Sequence, residues 1–213
     1  VVLVDGRHVR LIGINAPERA RKDRNAEPFA EQAFDVLRSD LAASGHRLLL
    51  RLGAEGEDRY GRLLAHLFLP DGEHVGARLI RKGVAAVIAI PPNLGFQDCL
   101  RLAERQARDD ELGIWRLPRF TGREISEISS TEIGFMAVRG RLDGVGFSKD
   151  ALWLQIGGRF GVRIDKSNLR YFRRWNFHAL QGKELIVRGW MTRRKNRPRM
   201  QLKHPNDMEI VVR

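Results

Sequence analysis

Two short stretches of this 213-residue chain hold the residue types that could carry chemistry. The first runs Val9-Arg10-Leu11-Ile12-Gly13-Ile14-Asn15-Ala16-Pro17-Glu18, and the second is Asp58-Arg59-Tyr60-Gly61-Arg62. Each contains an arginine and a carboxylate. Guanidinium groups stay charged and grip phosphoryl oxygens through paired N–H donors, so two of them can clamp a phosphodiester while negative charge builds during hydrolysis. A carboxylate can orient or deprotonate the attacking water, and a hard divalent cation can polarise the phosphoryl group. Taken singly, the same residues read as surface ion pairs, Glu18 with Arg10 for example. The fold must decide whether they meet.

The elements that would position them follow from periodicity. Residues 1–4 and 9–14 are strand-like runs separated by the turn signal Asp5-Gly6, and Pro17 ends the second. Glu27-Pro28 opens a helix in which Phe29, Ala33, Val36, Leu37 and Leu41 recur at helical steps, closed by Ser44-Gly45. Strands are expected at 48–52 and 63–69, flanking the Asp58–Arg62 loop. A second helix is expected over 74–82 with Gly83 at its C-cap, then a strand over 84–90. A third helix from Phe96 to about Asp110 turns Leu100, Ala103 and Ala107 to one side and stops near Gly113-Ile114-Trp115. Residues 116–131, with Leu117-Pro118 and Ser129-Ser130, lose periodicity and read as a linker. Beyond it, strands are expected at 135–142, 151–156, 160–164, 185–191 and 200–202, the last continuing at 209–212. A helical or irregular piece, 167–180, falls between the third and fourth, which is the order of an OB-type barrel.

The succession of Arg10 on a strand, the Asn15-Ala16-Pro17-Glu18 turn, the Asp58-Arg59-Tyr60-Gly61-Arg62 loop and the closing Ile114-Trp115 resembles the staphylococcal (micrococcal, or thermonuclease) nuclease family over roughly residues 1–115. That resemblance implies a mostly β, α+β fold: an OB-type five-stranded barrel with three helices at 1–115. A linker (116–131) and a second, OB-like β-barrel domain (132–213) would follow. It implies calcium-assisted cleavage of DNA or RNA, with Arg10 and Arg62 stabilising charge, Glu18 as general base, and Arg59 and Tyr60 against the substrate. The family holds calcium with an Asp from an Asp-Gly-Asp-Thr run, an Asp in the turn before Pro-Glu, and the following carbonyl. Asn15 and the Ala16 carbonyl stand at the last two positions, and the Asp-Gly-Asp-Thr run is expected upstream of Val1. Calcium affinity rises with ligand charge, so a weak site, or one dependent on residues upstream of Val1, is expected. The family's tyrosines before Pro-Asn have no aromatic counterpart in residues 85–92.

Charge supplies a substitute for the missing stacking groups. Residues 1–133 hold 20 Lys and Arg against 20 Asp and Glu, whereas residues 134–213 hold 18 against 6. The entire net charge of +12 therefore lies in the second part, as expected of a surface for a polyanion, above all nucleic acid. Arg173, Trp190, Arg193, Arg194, Lys195, Arg197 and Arg199 interleave cations with aromatics, the pattern of sequence-tolerant single-strand binding. Trp153 and Phe160 are expected in the core, the six histidines at the surface or in turns, and Cys99 packed inside a helix.

A single cysteine excludes an internal disulfide and a Cys-based zinc cluster. No apolar run approaches the length of a membrane span, and no targeting segment is visible. A monomer acting on single-stranded DNA or RNA, without a small-molecule cofactor, is expected. The bacterial-looking composition leaves secreted, periplasmic and cytoplasmic locations open. Two readings remain at this point: a nuclease, and a non-catalytic nucleic-acid-binding or scaffold protein with a degenerate metal site. Docking of the basic domain on protein or anionic lipid is a third.

Overall fold

The structure is a computed structural model that describes residues 1–129 and 131–211. The chain divides into two units, Val1–Arg116 and Leu117–Arg213.

In the first unit, β1 (Val9–Leu11) and β2 (Ile14–Asn15) are separated by Gly13 at φ 81°. They precede α1 (Ala30–Ala43), β3 (Leu49–Glu57) and β4 (Leu63–Phe68). Next come α2 (Val75–Arg81), β5 (Ala86–Val87) and α3 (Gln97–Asp109). The strands pair as β1-β4-β3, with β1 and β4 parallel, and as an antiparallel β2–β5 ladder. The fully buried Ala65, Leu67, Val75, Ile80 and Leu100 form the centre of a core beneath the helices.

The apolar run at 84–90 forms a strand only at Ala86–Val87. Side chains and distant main chain satisfy its backbone: the Val87 N–H donates to Glu104 Oε1 at 2.8 Å, Gln97 Nε2 donates to the Ile88 carbonyl at 3.1 Å, and the Ile88 N–H donates to the Gly13 carbonyl at 3.0 Å. The run is apolar because it is buried against α3, not because a ladder continues through it. Asn93 performs a similar service for β3, an edge strand. Its Oδ1 accepts from the Glu55 N–H at 2.9 Å and its Nδ2 donates to the Glu55 carbonyl at 3.0 Å.

Two histidines expected outside are inside: His66 and His74 are 4% and 7% exposed. The Ala77 N–H donates to His74 Nδ1 at 3.1 Å, capping α2, so the neutral His74 carries its proton on Nε2 and offers it to His66 Nδ1 at 3.0 Å. Burial, then His74 and Arg51, lower the His66 pKa to about 4. Cys99 is exposed rather than packed, because α3 buries the face carrying Gln97, Leu100, Ala103, Glu104 and Ala107.

The second unit opens with structure where a linker was expected. α4 (Pro118–Thr121), β6 (Arg123–Glu124) and a 3-10 turn at Ile125–Glu127 are anchored by Phe120, Ile125 and Ile128, each buried. Short apolar anchors at irregular spacing leave no periodic signal. Ser130 lies outside the described residues.

Then follow β7 (Gly134–Phe147), β8 (Ala151–Ile156) and β9 (Phe160–Asp165). After two 3-10 turns, Lys166–Phe172 and His178–Leu180, come β10 (Glu184–Arg194), β11 (Arg197–Leu202) and β12 (Met208–Ile210). Pairing runs β7-β8-β9-β11-β10 and returns to β7, closing a five-stranded barrel in which the β9–β11 pair alone is parallel. β7 is long enough to serve both neighbours, its first half on β10 and its second on β8. β12 is a separate strand on β10 and not a continuation of β11; Val212, the end of the expected continuation, lies outside the described residues. Leu142, Leu152, Leu154, Ile156, Phe160 and Leu185 fill the barrel.

Candidate active site

Strand pairing brings the two arginines of the first unit together. Arg10 on β1 is in register with Leu64 on β4, and Arg62 lies two residues before Leu64. Alternation along a strand therefore puts Arg10 and Arg62 on the same face, opposite the buried Leu63 and Ala65. Both line one cleft of about 290 Å³, with Arg19, Ala16, Pro17 and Phe34 also on its walls.

The Asp58–Arg62 loop is built to aim one of these cations. Asp58 Oδ1 accepts the N–H groups of Tyr60 at 2.9 Å and Arg62 at 3.1 Å, while Gly61 takes φ 72° to complete the turn. Asp58 Oδ2 then accepts from Arg62 Nε at 2.7 Å and pairs with Nη2 at 2.6 Å. Burial alone would raise the Asp58 pKa; the bonds from Arg62 and the two backbone donors outweigh it and hold the carboxyl below its usual value. Tyr60 is 67% exposed, with the Arg59 and Arg62 guanidiniums 4.8 and 5.4 Å from its ring centroid.

Arg10 is half-buried and has no hydrogen-bond or ion-pair partner for its side chain among the described residues. Burial first, and the nearby Arg62 guanidinium second, lower its pKa, with Asp58 acting in the opposite direction. It remains a cation, since arginine titrates far above neutrality. An under-solvated cation beside a second cation in a cleft favours the approach of an anion by electrostatics.

Glu18 stands apart from this pair. It is exposed, its carboxylate is paired with Arg24, and it is absent from the residues lining the cleft. Its backbone is clamped to Glu27, whose Oε2 accepts from the Glu18 N–H at 2.9 Å. The expected alternative pairing of Glu18 with Arg10 does not occur. Asn15 and Ala16 sit where β2 ends, and only Ala16 lines the cleft. Among the described residues no group of three or more His, Cys, Asp or Glu could hold a metal. The donor set of one amide oxygen and one carbonyl, both neutral, does not fit a calcium site by itself.

In the second unit the expected binding residues do not all line one cavity. Arg193, Arg197 and Arg199 line one cavity of about 370 Å³. Trp190 lies on β10 beside Phe135 of β7, ring centroids 5.0 Å apart, and Arg173 follows the 3-10 turn at Lys166–Phe172. Neither Trp190 nor Arg173 lines that cavity, and Arg194 and Lys195 do not line it either. Trp153 does, so it faces outward rather than into the core. The alternation Leu152, Leu154, Ile156 inward against Trp153 and Gln155 outward is the signal that locates it.

The family profile described as staphylococcal nuclease homologue matches residues 8–117, just over half the chain. The chain belongs to that family, whose domain is an OB-type barrel. Among its relatives, the thermonuclease of Staphylococcus intermedius is 31% identical over 107 residues, covering 50% of this chain and 62% of the relative. Endonuclease YncB of Bacillus subtilis (strain 168) is 33% identical over 108 residues, 50% of each chain. The probable endonuclease lcl3 of Pyrenophora tritici-repentis is 31% identical over 122 residues, covering 54% of this chain and 44% of the relative. The chain thus spans less than two thirds of each of these relatives.

Proposed function

We propose that the chain is a nuclease: its first unit hydrolyses phosphodiester bonds in DNA or RNA and its second holds the nucleic acid. The observation that carries the reading is the pair of arginines lining one cleft, one aimed by Asp58 and the other with no hydrogen-bond or ion-pair partner among the described residues. Arg10 and Arg62 bind the scissile phosphate and take up the charge that develops on its oxygens. Glu18 handles the water once it leaves Arg24. Arg59 and Tyr60 flank the incoming strand. The family resemblance implies Ca²⁺ at Asn15 and Ala16, and a carboxylate from elsewhere would have to complete that site.

Digestion of plasmid and of single-stranded DNA, with calcium and with chelator, run beside Arg62→Ala, tests the reading. Cleavage by the parent chain that the substitution abolishes supports it; equal traces from both proteins refute it. The second reading, a binding or scaffold protein that has lost catalysis, is favoured by the Glu18–Arg24 pair and by Asn15. Salt-dependent nucleic-acid binding without any cleavage would establish it.

In the second unit, Arg193, Arg194, Lys195, Arg197 and Arg199 occupy the β10–β11 hairpin, whose turn places Lys195 and Asn196 at φ 49° and 58°. Two successive left-handed residues make the tight turn that suits strand twist and hold the cations at one end of the barrel. Arg173 and Trp190 are proposed as outlying contacts to the same strand.

A further inference from the structure

We propose that the cavity beside Trp153 is a nucleotide site for single-stranded nucleic acid, in which one unpaired base stacks on the Trp153 indole and the flanking phosphates bind Arg197 and Arg199. The proposal rests on the reading that the second unit binds nucleic acid, and names the residues and the strandedness that reading leaves open.

The cavity is charged in one sense only. Arg159, Arg193, Arg197 and Arg199 line it, and no carboxylate is among its lining residues. Two of the four arginines are fixed by neutral groups. Arg193 donates to the carbonyls of Ser129 at 2.8 Å and Asn196 at 3.2 Å, and Arg159 donates to those of Ile125 and, at 3.1 Å, Ile128. Their positions are set without their charge being cancelled. Arg197 and Arg199 have no acidic partner among the described residues. Four guanidiniums around about 370 Å³, within the size range of small-ligand pockets, repel one another until an anion enters.

The wall supplied by Trp153 distinguishes a nucleotide from a bare anion. Its Nε1–H donates to Ser148 Oγ at 3.3 Å, which pins the indole, and the Arg199 guanidinium lies 4.9 Å from the ring centroid. Diagonally across the β8–β9 ladder, opposite Gln155, stands Gly161, where a Cβ would touch the indole at 3.6 Å. A larger side chain there would crowd both the indole and the Arg199 stem, whose Cγ would lie 3.8 Å from that Cβ. A base laid on the indole can be covered by Arg199, whose long side chain lifts to form the second layer of a sandwich. Gln155 and Asn196 supply polar groups at the rim. A base inside a duplex has no free face to offer, which selects single strands.

The test is fluorescence anisotropy of the full chain with a labelled oligothymidylate, in chelator, beside an abasic oligomer of the same length and inorganic polyphosphate. Trp153→Ala and Gly161→Val are each expected to weaken oligothymidylate binding roughly tenfold, the size of one base stack, with abasic binding unchanged. Oligothymidylate should quench the parent's tryptophan emission, and this quenching should be lost in Trp153→Ala. Gly161→Val leaves the tryptophan in place and guards against misfolding of the alanine variant. Equal affinity of the parent for the thymidylate and abasic oligomers, or displacement by polyphosphate that neither variant alters, would overturn the base site while leaving nucleic-acid binding intact. Loss of quenching in Trp190→Ala instead would place the stack on β10 and also overturn it. Absence of salt-dependent binding to either oligomer would remove the underlying reading along with the proposal.

Discussion

The two arginine-lined sites are held by opposite means. In the cleft of the first unit a carboxylate, Asp58, grips Arg62 with Nε and Nη2 2.7 and 2.6 Å from Oδ2. In the cavity of the second, backbone carbonyls hold Arg193 and Arg159. A carboxylate gives a well-aimed arginine with much of its field cancelled; carbonyls give a fixed arginine with its field intact. Aim suits a group that must meet one phosphate at one moment, and field suits a surface that must attract a long polyanion. The charge division between the balanced residues 1–133 and the cationic residues 134–213 follows the same logic.

Four measurements bear on this contrast. The largest effect is expected at the first cleft: Arg62→Ala and Arg10→Ala should each lower the cleavage rate by about 100-fold or more, and Arg62→Lys should not restore it, because an ammonium cannot make the paired contact. Cleavage unaffected by either change would remove the first cleft from the comparison.

Acid should separate the units next. An unfolded histidine protonates near its ordinary value of 6.5 and folded His66 only near 4. The stability contributed by the neutral pair is therefore complete above 6.5 and is lost progressively as pH falls towards 4. Hydrogen exchange across that window should show the first unit loosening before the second, and His66→Leu should flatten the trend. Equal loosening of both units would contradict the assignment.

A smaller effect belongs to Asp58→Asn, which keeps an oxygen for the turn and gives up the charged grip on Arg62. Cleavage should drop about tenfold, one charge-assisted hydrogen bond's worth, with kcat falling more than KM rises and the melting temperature nearly unchanged. A drop matched by unfolding would make Asp58 a fold residue only. The smallest effect is Arg197→Ala, which should reduce the slope of log affinity against log salt for single strands by about 0.7, one phosphate contact. An unchanged slope would take Arg197 off the nucleic acid.

Much of the first site was legible because its parts are local. Arg10 and the Asp58–Arg62 loop are visible as strings of residues, whereas the parallel β1–β4 register that joins them is a long-range pairing that no local string shows. Glu18 was legible as a residue but not as a geometry, because its pairing with Arg24 belongs to an exposed loop with no periodicity. His66 and His74 escaped notice since their contact is made across the Asp71-Gly72 turn, and His66 sits within an apolar strand that gives no sign of a polar partner. Trp153 was misread through its type, although the alternation along β8 places it outside. The ordered stretch before β7 hid behind Leu117-Pro118, whose irregular flanks are anchored by three isolated apolar side chains.

Asn93 carries a consequence beyond its own two bonds. An edge strand with free N–H and C=O groups invites a foreign segment to add to the sheet. At Glu55 both groups are already engaged by the Asn93 amide, which imitates a neighbouring strand with a single side chain. Replacing Asn93 by leucine would remove that decoy, and the first sign would be self-association at high protein concentration.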